Sequence, residues 1–219
     1  MDTPSKFPFS RFPRLATPRL ILREVTADDL LPLFRICSDR GWLKLWGQTP
    51  HRHVDDTSAM LQQIRRAYQD RSGLRWAITM KGSDELIGCV GFARIMWPHF
   101  RAEVTGELSR ACSGKGVMAE GIRAVAQFGF DVLGLHSIEA NVDPQHTMSI
   151  RICEKLGFTR DGFFRENYFC DGRFYDTITF SLLSGRAAAS VAITAPKRSI
   201  DRVTGCRVRA RSRSLSTVA

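Results

Sequence analysis

The stretch CSGKGVMAEG, residues 112–121, sets two glycines around a lysine and then turns apolar at helical spacing. A chain that gives up side chains where a helix begins brings its backbone close to something. The first amides of a helix have no acceptor within it, and aligned peptide dipoles leave partial positive charge there, so such an end suits a phosphate. Glycine adds close approach and access to positive φ. Taken alone, the pattern also fits an ordinary turn, so its flanks decide.

RAEVTGELS (101–109) reads as a strand running straight into the glycine loop. Beyond the loop, Met118, Ile122, Val125, Ala126, Gly129 and Leu133 recur along one side of a helix. HSIEANV (136–142) returns as a strand. DPQHTMSIRICEKLGF (143–158) predicts a helix with Asp143 as N-cap, Pro144 in the first turn, a Met148–Ile152–Leu156 stripe and Gly157 at its end. FTRDGFFRENYF (158–169) and RFYDTITFSLL (173–183) are strands joined through Cys170-Asp171-Gly172, an Asp-Gly hairpin signal.

Toward the N-terminus, LRWAITMK (74–81) and ELIGCVGFARIM (85–96) flank Gly82-Ser83-Asp84 as a second hairpin. VDDTSAMLQQIRRAYQD (54–70) is a helix, and GWLKLWGQTPHRH (41–53) is a loop or short helix rich in aromatics. TADDLLPLFRICSD (26–39) reads as a helix capped by Thr26, in which Pro32 is tolerated or ends it early; RLILREV (19–25) is a strand. The order β-α-α-β-β-β-α-β-α-β-β predicts an α/β fold with helices packed on a mixed sheet.

A chain of 219 residues holds one well-buried core with little left over. Residues 15–185 are expected to form that domain, 1–14 a loose arm with three prolines, and 186–219 a disordered tail. The net charge of +10 sits mostly at the ends: the tail has eight Arg or Lys against Asp201. The nearly neutral middle carries no broad electrostatic footprint for nucleic acid. The tail either tethers RNA or the ribosome, or only solubilises. No apolar run approaches the roughly 20 residues of a membrane span, and no apolar signal-peptide core stands at the N-terminus. Six cysteines without a CxxC argue against a zinc site or disulfide scaffold and fit a reducing cytoplasm. His51 and His53 have no cysteine near them, which favours a solvated loop over a metal site.

With SGKGVMAEGIRAV (113–125), LGLHSIEANVDPQHTMSIRICEKLGF (133–158) and RENYFCDGRFYD (165–176) in this order, the chain resembles the GNAT N-acetyltransferases. It looks most like their ribosomal-protein N-terminal acetyltransferase branch (RimJ/RimL-like), from TPRLILR (17–23) to FYDTITFSLL (174–183). The resemblance implies a mostly antiparallel central sheet, splayed in the middle and flanked by helices, with acetyl-CoA as cosubstrate and no metal. It implies transfer of acetyl to a primary amine, a protein N-terminal α-amine or a small-molecule amine, by direct attack on the thioester. Backbone at Leu108, Ser109 and Arg110 would pair with the pantetheine. Amides of Ser113, Gly114, Lys115, Gly116, Val117 and Met118 would wrap the pyrophosphate, with the Lys115 side chain adding exposed charge. A catalytically weak acyl-CoA-binding module is the alternative, and the resemblance leaves monomer and homodimer open.

The chemistry needs a neutral amine, an oxyanion donor and a proton for the departing thiolate. Glu107 and Glu139, on the strands framing the splay, are candidate bases acting through water; each is equally readable as a salt-bridged strand carboxylate. Glu103 shares a strand face with Glu107, farther from the loop. A backbone N–H near Leu108 or Ser109 is the expected oxyanion donor. Three positions depart from the family's pattern: His146 stands where Asn is common, Cys153 where many relatives use a Tyr acid, and Ser113 where an aromatic precedes the first glycine. His146 either keeps the bond to the cofactor or adds a titratable group. Cys153 either protonates the thiolate or is a small buried residue, with Ser149, one turn earlier, as the other donor. The acceptor end is expected from 39–55, whose Trp42, Trp46, His51 and His53 line a pocket or simply pack, with Glu103 on the substrate side and Phe164, Asn167 and Tyr168 near the closing hairpin completing it.

Overall fold

The computed structural model describes residue 7 and residues 10–43 and 49–185. Strand β1 (Leu15–Ala16) pairs with β2 (Leu20–Glu24), and a 3-10 turn leads into α1 (Leu30–Cys37). Pro32 is accommodated because it lies in the first turn, where amides have no helical acceptor. Helices α2 (Arg40–Leu43) and α3 (Val54–Gln69) follow, then the antiparallel strands β3 (Leu74–Met80), β4 (Leu86–Met96) and β5 (Arg101–Leu108). Helix α4 (Val117–Asp131) crosses to β6 (Ser137–Val142), and α5 (Thr147–Lys155) crosses to the hairpin β7 (Thr159–Cys170) and β8 (Arg173–Leu183).

The eight strands form one sheet in the order β1-β2-β3-β4-β5-β6-β8-β7. Every pairing is antiparallel except β5 with β6. Central strand β3 is buried on both faces at Trp76, Ala77 and Ile78, because helices cover both sides. On one side Leu33, Ile36 and Cys37 of α1 meet Ala77 and Cys89; on the other Val125 and Phe128 of α4 meet Trp76 and the core behind it. Hydrophobic burial of this kind is worth ~25 cal/mol per Å² of apolar surface and supplies most of the folding drive.

One irregularity positions everything functional. β5 and β6 pair only at Arg101↔Ser137, Ala102↔Ile138 and Glu103↔Glu139. Beyond that point 104–108 stay with β4, while 140–142 leave with β8. The sheet opens into a V whose mouth lies between the N-termini of α4 and α5.

Several expectations change. The helix expected from Asp143 begins at Thr147, with His146 as its flanking residue. Asp143 Oδ1 instead accepts the Gln145 N–H at 2.7 Å, so its side chain closes a turn. The arm expected to be loose packs where it is described: Phe7 stacks on Tyr68 with centroids 5.5 Å apart. Phe12 packs edge-on to Trp76, whose indole N–H donates to Pro13 O at 2.6 Å. The two-residue turn at Asp171 (φ 48°) and Gly172 (φ 81°) is the one the Asp-Gly pair predicts. Trp46 and the tail 186–219 lie outside the described residues.

Candidate active site

Gly114 (φ 71°) and Gly116 (φ 75°) both take the left-handed conformation that side chains resist, and Gly116 is the cap from which α4 starts. The helical ladder opens with the Glu120 N–H donating to Gly116 O at 3.1 Å, so the amides of 116–119 precede the first helical bond. Ahead of them, the Cys112 and Ser113 amides close a tight turn onto Ser109 and Arg110 carbonyls. The loop amides without a carbonyl acceptor of this turn therefore begin at Gly114, not at Ser113. The Ser113 hydroxyl reaches across the mouth to Met148 Sδ at 3.5 Å.

A cavity of about 440 Å³ fills the V. That lies within the usual ~300–1,000 Å³ of small-molecule sites. Val104, Gly106 and Leu108 form one wall, the residues around Gly116 and Met118 a second, and His146, Ser149 and Cys153 the third. Trp42 closes the inner end. Of the sequence candidates, Trp42, Leu108, Ser113, Gly114, Gly116, Val117, Met118, His146, Ser149 and Cys153 thus meet at one cavity. Ser109, Arg110, the Lys115 side chain, Glu103, Glu107, Glu139 and Asn167 stand off its wall. Asn167 is exposed in the irregular stretch of β7, beside Glu166, whose amide donates to Asp176.

Strand alternation explains which backbone groups are available. The Ser109 N–H donates to Ile87 O on β4 at 2.8 Å, which removes it as an oxyanion donor. Its neighbour Leu108 therefore turns its own N–H and C=O to the other edge, into the V. There the Trp42 indole N–H donates to Leu108 O at 2.8 Å. The Leu108 N–H lies on the same edge.

The candidate bases are not at liberty. Glu107 shares the α1 face of the sheet with its cross-strand neighbour Cys89 and is held in a buried ion pair by Arg75. Burial opposes charge on Arg75, but the adjacent Glu107 outweighs it and raises the guanidinium pKa. The same buried cluster drives the Cys37 thiol up to about 12 through desolvation, with Glu107 adding to it. Glu139 is held by Arg101 and lies 3.4 Å from Arg94, which also reaches Glu103 at 3.2 Å. The readings of both glutamates as salt-bridged strand carboxylates describe their geometry.

On the third wall, burial lowers the His146 pKa, with Asp143 acting in the opposite sense, so the imidazole is neutral at physiological pH. Burial raises the Cys153 thiol to about 12, with a smaller push from Glu154. A thiol that weak is a poor proton donor to a thiolate of ordinary pKa about 8.5. Arg151 and Lys155 add positive charge at the outer rim.

The connection between α2 and α3 meets the closing hairpin from far along the chain. Thr49 Oγ1 lies 3.1 Å from Cys170 Sγ, tying the α2–α3 connection to the closing hairpin. His51 bonds Thr57 on α3 at 2.7 Å, and His53 flanks the start of that helix. Neither histidine lines the cavity, and no metal-binding group of side chains exists among the described residues. None of the described helices is long and apolar enough to cross a membrane.

The cavity, the unpaired amides at a glycine-capped helix and the open strand edge fit an extended thioester carrying a diphosphate. Comparison with known proteins gives the same direction. The family model "Acetyltransferase (GNAT) domain" matches residues 19–159. The Bacillus subtilis protein named Uncharacterized N-acetyltransferase YoaA is 33% identical over 175 residues, covering 80% of this chain and 99% of that protein. The Escherichia coli [Ribosomal protein uS5]-alanine N-acetyltransferase is 26% identical, covering 77% of this chain and 90% of its own. The crystal structure of spermidine N-acetyltransferase from Vibrio cholerae in complex with CoA and spermine superposes with a TM-score of 0.69 at 23% identity, over 78% of this chain and 99% of that one.

Proposed function

We propose that this chain, which belongs to the GNAT acetyltransferase family and is an acetyl-CoA-dependent N-acetyltransferase, acts on an α-amine or comparable weakly basic amine rather than a polycation. The observation that carries this reading is the state of the carboxylates framing the V. Glu103, Glu107 and Glu139 each have an arginine partner. A polyamine needs carboxylates at liberty to meet its ammonium groups, because charge moved into a cleft is costly unless paired. An α-amine brings one charge at most, and with a pKa of about 8 it is partly neutral at pH 7. A lysine side chain near 10.4 needs far more help. The relative named for acetylating an alanine of ribosomal protein uS5 is in line with this choice.

In this mechanism the amides of 116–119 hold the diphosphate of acetyl-CoA, which supplies the activated acetyl group. The Leu108 N–H donates to the carbonyl oxygen as it gains charge, a contribution worth a few kcal/mol at comparable sites. The amine nitrogen bonds to the carbonyl carbon, the C–S bond breaks, and the nitrogen's extra proton passes to water. Ser149, on the cavity wall, relays a proton from water to the departing sulfur; Cys153 does not. Glu107 and Glu139 stay paired with Arg75 and Arg101 and carry no proton in this scheme.

Thiol release from acetyl-CoA, measured with peptides bearing free N-termini, an Nα-blocked lysine peptide and spermidine, tests the reading. The α-amine peptides should be turned over, with kcat/KM rising through the acceptor's own pKa of about 8. Spermidine outpacing every α-amine would overturn the acceptor class. CoA binding without turnover of any acceptor would favour a binding module.

A further inference from the structure

Behind the glycine loop, on the side away from the cavity, the segment between β1 and β2 grips the start of α4. Arg19 Nη1 donates to Lys115 O at 2.9 Å. Its Nε meets Glu120 Oε2 at 2.6 Å, and its backbone amide meets Glu120 Oε1 at 2.9 Å. Thr17 Oγ1 donates to the same Oε1 at 2.5 Å, and Thr17 is itself tied into a turn with Leu20. Arg19 does not line the cavity, so it acts on the loop from outside.

The geometry points to Arg19 as a positioning residue for the diphosphate cradle, with Glu120 and Thr17 as its anchor. In a trans peptide the C=O and the following N–H point in opposite directions. Holding Lys115 O outward on Arg19 therefore turns the Gly116 N–H inward, toward the mouth of the V. Gly116 can follow because its φ of 75° is open to glycine and strained for other residues. The second effect is electrostatic. Glu120 is an acid in the first turn, where an unneutralised carboxylate would repel a bound diphosphate. Burial pushes its pKa up, but the bonds from Thr17 and Arg19 outweigh it and hold the group ionised, drawn to the outer side. The clasp thus aims one amide at the anion and shields the anion from the nearest acid.

The inference rests on the acetyl-CoA reading above and is tested so that the two fail separately. Steady-state kinetics of Arg19→Gln, Arg19→Lys and Thr17→Val are compared with acetyl-CoA and with S-acetylpantetheine, which lacks the diphosphate. Losing the aimed amide should raise KM for acetyl-CoA about tenfold with kcat within about twofold. Turnover of S-acetylpantetheine should not change, because nothing in that donor touches the cradle. Arg19→Lys keeps the charge near Glu120 but cannot also fork to Lys115 O, so it should fall between wild type and Gln. Equal losses with both donors would reduce Arg19 to a support of the fold, and an unchanged KM for acetyl-CoA would remove it altogether. Both outcomes leave the acetyl-CoA reading standing; wild-type protein that fails to bind CoA would sink both. Thr17→Val serves if the Arg19 variants unfold, since it loosens Glu120 without touching Lys115, and it too should raise KM for acetyl-CoA alone.

Discussion

Replacing Glu107 by Gln separates a structural carboxylate from a catalytic base. The Arg75–Glu107 pair lies inside the sheet's α1 face, with side-chain exposures of 12% and 4%. Breaking such a pair by removing one partner typically costs about 3–5 kcal/mol, because the survivor is left charged and desolvated. Glutamine keeps one acceptor for the guanidinium, which places Glu107→Gln near the lower end, about 3 kcal/mol. For a domain of this size that converts to a melting-temperature loss of roughly 6–12 °C. Arg75→Met strands a carboxylate instead and should cost more. Arg75→Met combined with Glu107→Leu should recover much of the loss, since apolar residues of similar volume replace buried ion pairs well. The assay is thermal unfolding of all three variants, with kcat and its pH profile measured well below each melting point. Per folded molecule, Glu107→Gln should keep kcat within about threefold and keep the rise in rate through the acceptor's pKa near 8. A variant that melts with wild type, yet loses more than about a hundredfold in kcat and that pH limb, would make Glu107 the base. The assignment of its carboxylate to structure would then be wrong.

Trp42→Phe keeps an aromatic ring and removes the N–H that holds Leu108 O, so kcat should fall about three- to tenfold while KM for acetyl-CoA holds, read in initial-rate kinetics. An unchanged kcat would detach Trp42 from the oxyanion donor. Cys153→Ala should retain turnover within about threefold, because a thiol pushed to about 12 is neither acid nor nucleophile near neutrality; a deep loss of kcat would restore it as the proton donor. Asp29 and Glu120 are both held low when folded: burial raises each, and bonds from Arg23 and Thr26, or from Thr17 and Arg19, outweigh it. The unfolded chain therefore binds more protons in acid, so stability is complete above the unfolded carboxylate range of about 4–4.5 and declines as pH falls through the folded values. Urea midpoints at several pH values should show that decline, and Arg23→Gln should shrink it.

What could be read in advance was whatever local backbone demand decides. The glycine pair at 114 and 116 marks positive φ whether or not a ligand is known, and Asp171-Gly172 marks a two-residue turn. Strand and helix positions followed from periodicity, and the splay followed from the family resemblance. The misplaced start of α5 has a local cause. Asp143 looks like a cap but spends its side chain on Gln145, which delays the helix to Thr147. Partners across the fold were invisible. Glu107 stands on its strand as expected, but Arg75 is on another strand, and nothing at either position signals the other. Arg19 and Thr17 sit within the TPRLILR motif, yet their hold on Glu120 and Lys115 spans about half the chain. Phe7 and Phe12 pack without any regular element, which a reading based on periodicity cannot anticipate.

Hydrogen–deuterium exchange of the full-length protein with and without CoA probes the account at its centre. Amides at 114–119 and those of Gly106 and Leu108 should slow on addition of CoA, because they face the V, whereas the 105 and 107 amides, paired with β4, should not change. Exchange that slows elsewhere while the amides facing the V stay unchanged would contradict the claim that a glycine-capped helix and an open strand edge hold the thioester.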